Sequence, residues 1–413
     1  MKIGLTIFLA ALLLFGCSGG RKRYNENGNP KPLPADATVT VEIKKPVINV
    51  YVENSGSMDG YVKGVTEFEQ SVYNYLSDIK ISAITDSLNL FYINSQIIKF
   101  EPDIENFIKK LEPSTFHIKG GDLKTSDISN VLKLVLNETK ENTVSILITD
   151  GIFSPGKGTN ADQYLVNQQI GIKSSIAEYI KSNPDASLIV YQLSSQFNGK
   201  YFNKLDAPIQ INEQRPFYIW IIGDAKQLSE LRSKVPEKKF QGSGIQNMFS
   251  ITTGNRPVNY AVKLGSGNFD LDKTSPKTTI TNWKKDSKGF SQNMANFSVN
   301  TGLSGFLLDD DYLMNEQNYD LSDKDFSLSI TKAGNNNFGY THALNLSSQI
   351  IKKGMLSVKL KSRIPQWIDT VNDDDGSAAV HGKTYGIKYQ IRGVYEAFTF
   401  DNDCYGEIKI FIK

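Results

Sequence analysis

Short apolar runs alternate with stretches of helical periodicity between residues 44 and 235, and this alternation constrains the fold more than any other feature of the chain. Five runs are rich in β-branched or aromatic residues and are typical of buried strands: 47–52, 88–93, 144–148, 188–193 and 217–222. Between them apolar residues recur on one helical face, as in Phe68, Val72, Leu76 and Ile79, then Ile128, Val131, Leu132 and Val135. The repeated order strand, helix, strand predicts an α/β domain with a doubly wound, mostly parallel sheet and helices on both faces.

Local signals add two elements to this domain. Residues 96–100 follow the second apolar run across a tight turn, which predicts a short antiparallel strand at the sheet edge. Asp224 follows the fifth run and is placed to cap a further helix.

The pattern changes from about Pro236 onwards. Residues 238–244 are typical of a linker, and the chain beyond them is rich in Asn, Ser, Gly and Thr. Apolar and polar residues alternate there as they do in half-buried strands, at 326–330, 355–360 and 408–412. This predicts a second, β-rich domain over residues 245–413, for which a β-sandwich is the candidate architecture.

The N-terminus has the layout of a secretory signal peptide. Met1 and Lys2 precede an apolar run over residues 3–16 that is too short to span a bilayer. Residues 14–17, Leu-Phe-Gly-Cys, resemble the lipobox of bacterial lipoproteins, in which the cysteine is acylated and becomes the new N-terminus. The resemblance implies a signal peptide over residues 1–16 and a lipid anchor on Cys17; the alternative is an ordinary signal peptide that is cleaved elsewhere.

The segment after the anchor bears on location. Residues 17–43 are polar and rich in Asn and Pro, which predicts a flexible stalk that attaches the folded body to the membrane of the cell envelope. Ser18 favours the outer membrane over the inner one under enterobacterial sorting rules, facing either the periplasm or the surface. The composition, rich in Asn, Lys and Tyr, is compatible with Bacteroidota. The chain has 46 basic and 44 acidic residues, so it offers no strongly charged field for nucleic acid.

Polar residues follow two of the predicted strands, where open α/β sheets bind ligands. The run 47–52 leads into Glu53-Asn54-Ser55-Gly56-Ser57-Met58, and the run 144–148 leads into Thr149-Asp150-Gly151. Ser55 and Ser57 stand two residues apart on a Gly-containing loop, so their hydroxyls can point to one position. A hard divalent cation such as Mg²⁺ takes six oxygens in near-octahedral geometry and retains some water ligands.

Together the two loops resemble the metal-ion-dependent adhesion site (MIDAS) of the von Willebrand factor A (vWA) domain. That site begins with an Asp-x-Ser-Gly-Ser-Met loop and ends in a Thr-Asp-Gly loop. The family has a Gly-Gly-Thr loop between them, and Gly120-Gly121, followed by Thr125 and Ser126, stands in that place here. The resemblance covers about residues 44–235.

The resemblance implies a metal site and a protein partner. The ion would be Mg²⁺, with Mn²⁺ or Ca²⁺ as alternatives. Its expected ligands are oxygens, directly or through water: Glu53, Ser55, Ser57, either Thr125 or Ser126, and Asp150. In the family, an acidic residue of the partner fills the open coordination position.

Two departures from the family pattern leave alternatives open. Glu53 stands where the family has Asp, and the third loop carries an insertion, so Thr125 and Ser126 both remain candidates. The alternative to a metal site is a domain of the same fold that binds no metal, in which Ser55 and Ser57 hold the turn through hydrogen bonds.

Other motifs carry less chemistry. Residues 151–157 have the spacing of a phosphate-binding loop, but Gly158 replaces the Ser or Thr that holds magnesium and Pro155 lacks an amide donor, so we expect no nucleotide. The acidic triplets 309–311 and 373–375 lack the spacing of a calcium loop and are typical of solvated turns.

The sequence therefore favours a binding protein over an enzyme. It contains no His-Glu-x-x-His helix motif, no Gly-x-Ser-x-Gly motif follows a predicted strand as a nucleophile elbow requires, and no catalytic residue is predicted. The leading hypothesis is a lipid-anchored envelope protein with an adhesion function. The alternatives are a metal-dependent envelope hydrolase and a structural envelope protein with an inactive metal site.

Overall fold

The computed structural model describes residues 45–100, 103–116, 120–121, 127–205, 207–254, 256–283, 295–334, 337–350, 352–376 and 382–413. The predicted signal peptide, Cys17 and the predicted stalk lie outside the described residues, as do Thr125 and Ser126. Residues 45–413 cluster into one compact unit. No helix within the described ranges is long and apolar enough to cross a bilayer.

Seven strands form the first sheet, and all five predicted apolar runs are among them. In chain order they are β1 (Val47–Glu53), β2 (Ser87–Ile93), β3 (Ile97–Phe100), β4 (Thr143–Thr149), β5 (Ala186–Phe202), β6 (Pro208–Asp224) and β7 (Asn247–Thr252). Their spatial order is β3-β2-β1-β4-β6-β5-β7. At the centre, β1 is parallel to both β2 and β4.

The sheet is mixed, because β6 does not run in the predicted direction. β5 and β6 pair antiparallel over 17 residues each, and β6 is also antiparallel to β4. The connection between Phe202 and Pro208 is too short for the crossover helix that parallel neighbours require. The expectation of a parallel strand is therefore wrong for β6. The expected edge strand is confirmed as β3, which pairs antiparallel with β2.

Helices cover both faces of this sheet. They are α1 (Glu67–Ile81), α2 (Ile104–Lys109), α3 (Pro113–Phe116), α4 (Ile128–Glu138), α5 (Ala161–Ser182) and α6 (Ala225–Lys234). Because side chains alternate along a strand, Tyr51 packs in the cluster that includes α4 and α5, whereas Val50 packs in the cluster that includes α1 and α6. As predicted, the Asp224 side chain caps α6 by accepting a hydrogen bond from Lys226 N–H.

The C-terminal half is rich in strands, as predicted. Its strands are β8 (Asn259–Val262), β9 (Asp270–Leu271), β10 (Thr279–Thr281), β11 (Ala295–Gly302), β12 (Tyr319–Leu321), β13 (Phe326–Lys332), β14 (His342–Ser348), β15 (Gly354–Lys361), β16 (Asn372–Asp373), β17 (Thr384–Tyr385) and β18 (Cys404–Ile412). Its helices are α7 (Asp310–Met314), α8 (Trp367–Val371) and α9 (Ile387–Phe398). The strands form a five-stranded sheet, β12-β15-β18-β10-β9, a four-stranded sheet, β13-β14-β11-β8, and the pair β16-β17.

The two halves share one core. β7 lies beyond the predicted linker, residues 238–244, and pairs with β5 at the edge of the first sheet. α9 packs against α5. One hydrophobic cluster includes Ile176 of α5, Val394 of α9 and Leu346 of β14. The C-terminal half therefore covers one helical face of the first sheet.

Candidate functional site

The predicted loops meet because their strands are neighbours. β1 and β4 are parallel, with Val52 opposite Ile148, so both strands end at the same edge of the sheet. Glu53 is the last residue of β1, and Asp150 directly follows β4. The structure thus brings together four of the residues that the sequence nominates, Glu53, Ser55, Ser57 and Asp150, and all four are buried.

The two serine hydroxyls converge. The Ser55 hydroxyl donates to Glu53 Oε1 at 2.7 Å, and Ser57 Oγ lies 3.0 Å from Ser55 Oγ. Since Ser55 gives its single proton to Glu53, Ser57 is the donor of the second bond. A short 3₁₀ helix over Gly56–Gly60 forms this turn. The first hydrogen bond of the turn runs from Met58 N–H to Ser55 C=O at 3.0 Å.

Glu53 links the two loops. Its side chain is fully buried and accepts the Ser55 hydroxyl on one oxygen and the Thr149 hydroxyl on the other. The Thr149 hydroxyl in turn accepts Gly151 N–H at 2.9 Å. The extra methylene that distinguishes Glu from Asp therefore has a structural use, because this side chain connects the end of β1 to the end of β4.

Asp150 carries an orphaned oxygen. Its side chain is fully buried, and Oδ1 accepts Ile152 N–H at 3.0 Å, while Oδ2 has no hydrogen-bond partner among the described residues. Burial, and then the charge of Glu53, raise the pKa of Asp150 to about 7, although Ile152 N–H, the Ser57 hydroxyl and the Arg215 charge oppose this shift. A buried carboxylate oxygen without a partner is costly, so this position suits a cation or a proton.

The donor set fits a hard cation. Ser55, Ser57 and Asp150 offer oxygens only, which is the chemistry that Mg²⁺, Mn²⁺ or Ca²⁺ prefers. Within the described ranges no group of three His, Cys, Asp or Glu side chains could hold a metal. An ion at this site would therefore depend on the serine hydroxyls and on retained water.

The third predicted loop begins beside the serine turn. Asn94 Nδ2 donates to Asn54 Oδ1 at 2.8 Å and to Gly120 C=O at 2.9 Å. Gly121 has φ +84°, and a Cβ there would lie 1.8 Å from Asn94 Oδ1, so only glycine fits. Asn54 and Asn94 are not among the predicted site residues, although their places directly after β1 and β2 were a usable signal.

A buried arginine stands near the site and was also missed. Arg215 is 1% exposed, and its guanidinium lies 4.7 Å from the centre of the Tyr201 ring. Its Nη2 donates to Lys383 C=O at 2.8 Å. Its charge favours the ionised form of Asp150. No sequence signal marks it, because it lies within the long hairpin of β5 and β6.

The C-terminal half forms a wall of the site. Gln390 of α9 is fully buried, and its Nε2 donates to Gly151 C=O at 2.6 Å. The Tyr218 hydroxyl of β6 donates to Thr384 Oγ1 of β17 at 2.9 Å. The loop that carries Asp150 is thus held from both halves of the chain.

The remaining motifs have structural roles. Asp309 caps α7, accepting Tyr312 N–H at 2.6 Å, and Asp373 accepts the N–H groups of Asp375 and Gly376. The interpretation of the acidic triplets as solvated turns is wrong for three positions, because Asp310 and Asp311 lie in α7 and Asp373 is a buried residue of β16. The loop after Asp150 runs to Asn160, the residue before α5.

Comparison with models of known protein families, with curated proteins and with solved structures finds no match for this chain.

Proposed function

We propose that this chain is an envelope-anchored lipoprotein that binds a protein partner through a divalent cation held at the Ser55, Ser57 and Asp150 site. An ion bound there would supply an electrophilic position for an acidic side chain of the partner. The chain's own residues would orient the oxygens that hold the ion. The lipid on Cys17 would keep the site at the membrane surface.

One observation carries the proposal, the unpartnered Oδ2 of Asp150. A protein can bury such an oxygen cheaply only if a proton or a cation occupies its free side. The neighbouring hydroxyls of Ser55 and Ser57, 3.0 Å apart, supply further oxygens at the same sheet edge. The resemblance of both loops to the vWA metal site points the same way.

A second candidate function has one observation in its favour. Ser55, Ser57 and Glu53 already satisfy one another through hydrogen bonds, as they would in a turn that needs no ion. In that case the protein would be a structural envelope component. The two candidates differ in whether the folded chain binds a divalent cation.

Calorimetric titration of the full-length chain with Mg²⁺ and Mn²⁺ separates them. We expect binding by the wild type, and its loss when Ser55→Ala and Ser57→Ala are combined. Ser187→Ala is the matched control, because Ser187 is a fully buried serine whose Oγ has no hydrogen-bond partner in the described structure. Absence of binding in the wild type would favour the structural role.

The same variants test whether the chain binds a protein partner through the metal ion. The full-length chain should recover a protein from envelope extract in Mg²⁺ and should lose it in EDTA and in the double serine variant. Equal recovery under all three conditions would contradict the metal-dependent mode. Radioactive palmitate labelling, with Cys17→Ser as the comparison, tests the anchor separately.

A further inference from the structure

A shallow cavity of about 660 Å³ lies on the outer face of the four-stranded sheet, away from the candidate metal site. Side chains of β11 and β14 alternate strictly here. Phe297, Val299 and Leu344 point into the core, whereas Ser298, Asn300 and Asn345 point out and line the cavity. The cavity lies in the size range of sites for small ligands and oligomer segments.

The floor of the cavity consists of small polar groups. The Ser298 hydroxyl donates to Asn345 Oδ1 at 2.7 Å, and Asn345 Nδ2 donates to Thr331 Oγ1 at 3.3 Å, which forms a row across three strands. Ala261 and Ala343 lie beside this row and leave room above the sheet. Hydroxyl and amide groups both donate and accept hydrogen bonds, so this surface matches a ligand that carries many hydroxyls.

Aromatic rings stand at the rim. Phe338 is 71% exposed, and its ring centre lies 5.8 Å from that of Tyr340, with the planes tilted by 31°. An exposed phenylalanine next to a tyrosine is costly in water and offers an apolar platform. The C–H face of a pyranose ring is a flat apolar surface that fits such a platform.

The charged side chains that line the cavity are basic. Lys263, Lys277 and Lys332 line it, and no acidic side chain does so among the described residues. Lys332 pairs with Asp310, whereas Lys263 and Lys277 are exposed and take part in no ion pair that involves a described residue. This charge favours an anionic ligand.

We propose that this outer sheet face, defined by Ser298, Asn300, Asn345, Phe338, Tyr340 and Lys277, binds an acidic polysaccharide. The rings of Phe338 and Tyr340 stack on a sugar ring. The serine and asparagine side chains bond to its hydroxyls, and the lysines pair with its carboxylates. The surface is independent of the candidate metal site, so neither proposal depends on the other.

Binding of oligogalacturonate to the full-length chain tests the proposal, with a malto-oligosaccharide of equal length as the neutral probe. We expect the acidic probe to bind about tenfold or more tightly than the neutral one, and the difference to shrink as salt is added. Combining Phe338→Ala with Tyr340→Ala should weaken binding of the acidic probe by about tenfold or more. Phe400→Ala, at an aromatic that is 80% exposed elsewhere, should leave it unchanged.

Lys277→Gln separates charge from stacking. It should weaken binding of the acidic probe and leave that of the neutral probe unchanged. Equal affinity for both probes, no binding of either, or full binding by the double aromatic variant would each overturn the proposal. An oligothymidylate of equal charge that binds as tightly as oligogalacturonate would also overturn it, because charge alone would then account for the affinity. The double serine variant of the metal site should bind the acidic probe normally.

Discussion

Replacing Asp150 by Asn should stabilise the metal-free protein at alkaline pH. The carboxylate is fully buried beside Glu53, and its pKa is raised from 3.8 to about 7 by burial first and by the Glu53 charge second. Each pKa unit corresponds to about 1.4 kcal/mol, so holding Asp150 ionised in the folded state costs about 4 kcal/mol. The Asp150→Asn substitution would keep the acceptor for Ile152 N–H and remove the charge.

The sign of the pH dependence follows from where the proton sits. Between pH 4 and pH 7 the folded chain keeps the Asp150 proton, while the unfolded chain has lost it. The stability contributed by this group is therefore complete below pH 4 and is lost as the pH rises through about 7. Relative to the Asp150→Asn variant, the wild type should lose roughly 2 to 3 kcal/mol of unfolding free energy between pH 5 and pH 8.

Urea unfolding of both proteins in EDTA at pH 5 and pH 8 measures this difference. Other titrating groups are common to both proteins, and a constant effect of the amide side chain cancels between the two pH values. Asp369→Asn removes an exposed carboxylate of α8 and should show no difference of this size. A stability difference between the wild type and the Asp150→Asn variant that does not change with pH would refute the assignment of a desolvated carboxylate.

Magnesium extends the same test. A cation that binds the folded wild type at a concentration about 100 times its dissociation constant should stabilise it by about 2.7 kcal/mol. The effect should be larger at pH 8 than at pH 5, because the ion competes with the Asp150 proton. Equal stabilisation of the wild type and the Asp150→Asn variant would show that the ion binds elsewhere.

Three further changes probe contacts between the first sheet or its helices and the C-terminal half. Gly393→Ala brings a methyl group within 2.7 Å of a backbone oxygen of α5 and should cost roughly 1 to 3 kcal/mol in urea unfolding, whereas Gly305→Ala, which meets no atom within 4 Å, should be close to neutral. Arg215→Met removes the buried cation over Tyr201 and leaves a backbone carbonyl without its donor; we expect a loss of roughly 3 to 5 kcal/mol, and a stable variant would contradict this account of the arginine. Trp367→Phe deletes the hydrogen bond from the indole N–H to a carbonyl of edge strand β7 and should lower stability by about 1 kcal/mol, as measured by thermal unfolding.

Much of the first sheet could be predicted because its signals are local. The five apolar runs, the edge strand β3 and the Asp224 cap each depend on residues within a few positions of one another. The direction of β6 could not be read from its own residues, since a run buried on both faces looks the same in either direction. The only signal was the short connection between Phe202 and Pro208, which rules out a crossover helix.

Part of the candidate site could also be predicted, because its signals are local. Glu53, Ser55, Ser57 and Asp150 lie at strand ends, and adjacent parallel strands bring their ends together. The orphaned oxygen of Asp150 could not be foreseen, because it depends on which donors the fold places around it.

Residues distant in sequence surround the candidate site, so the site has to be studied in a chain that contains both halves. Gln390 reaches the carbonyl of Gly151 from the C-terminal half, and α9 covers an apolar face of α5 that includes Ile172 and Ile176. A fragment limited to residues 44–235 would expose that face to water and would leave the Gly151 carbonyl without its partner. Burying apolar area contributes about 25 cal/mol per Å², so such a fragment loses stabilisation that the first half needs. The alternation of strands and helices defines the first half in the sequence, but the packing of α9 makes the candidate site a property of both halves.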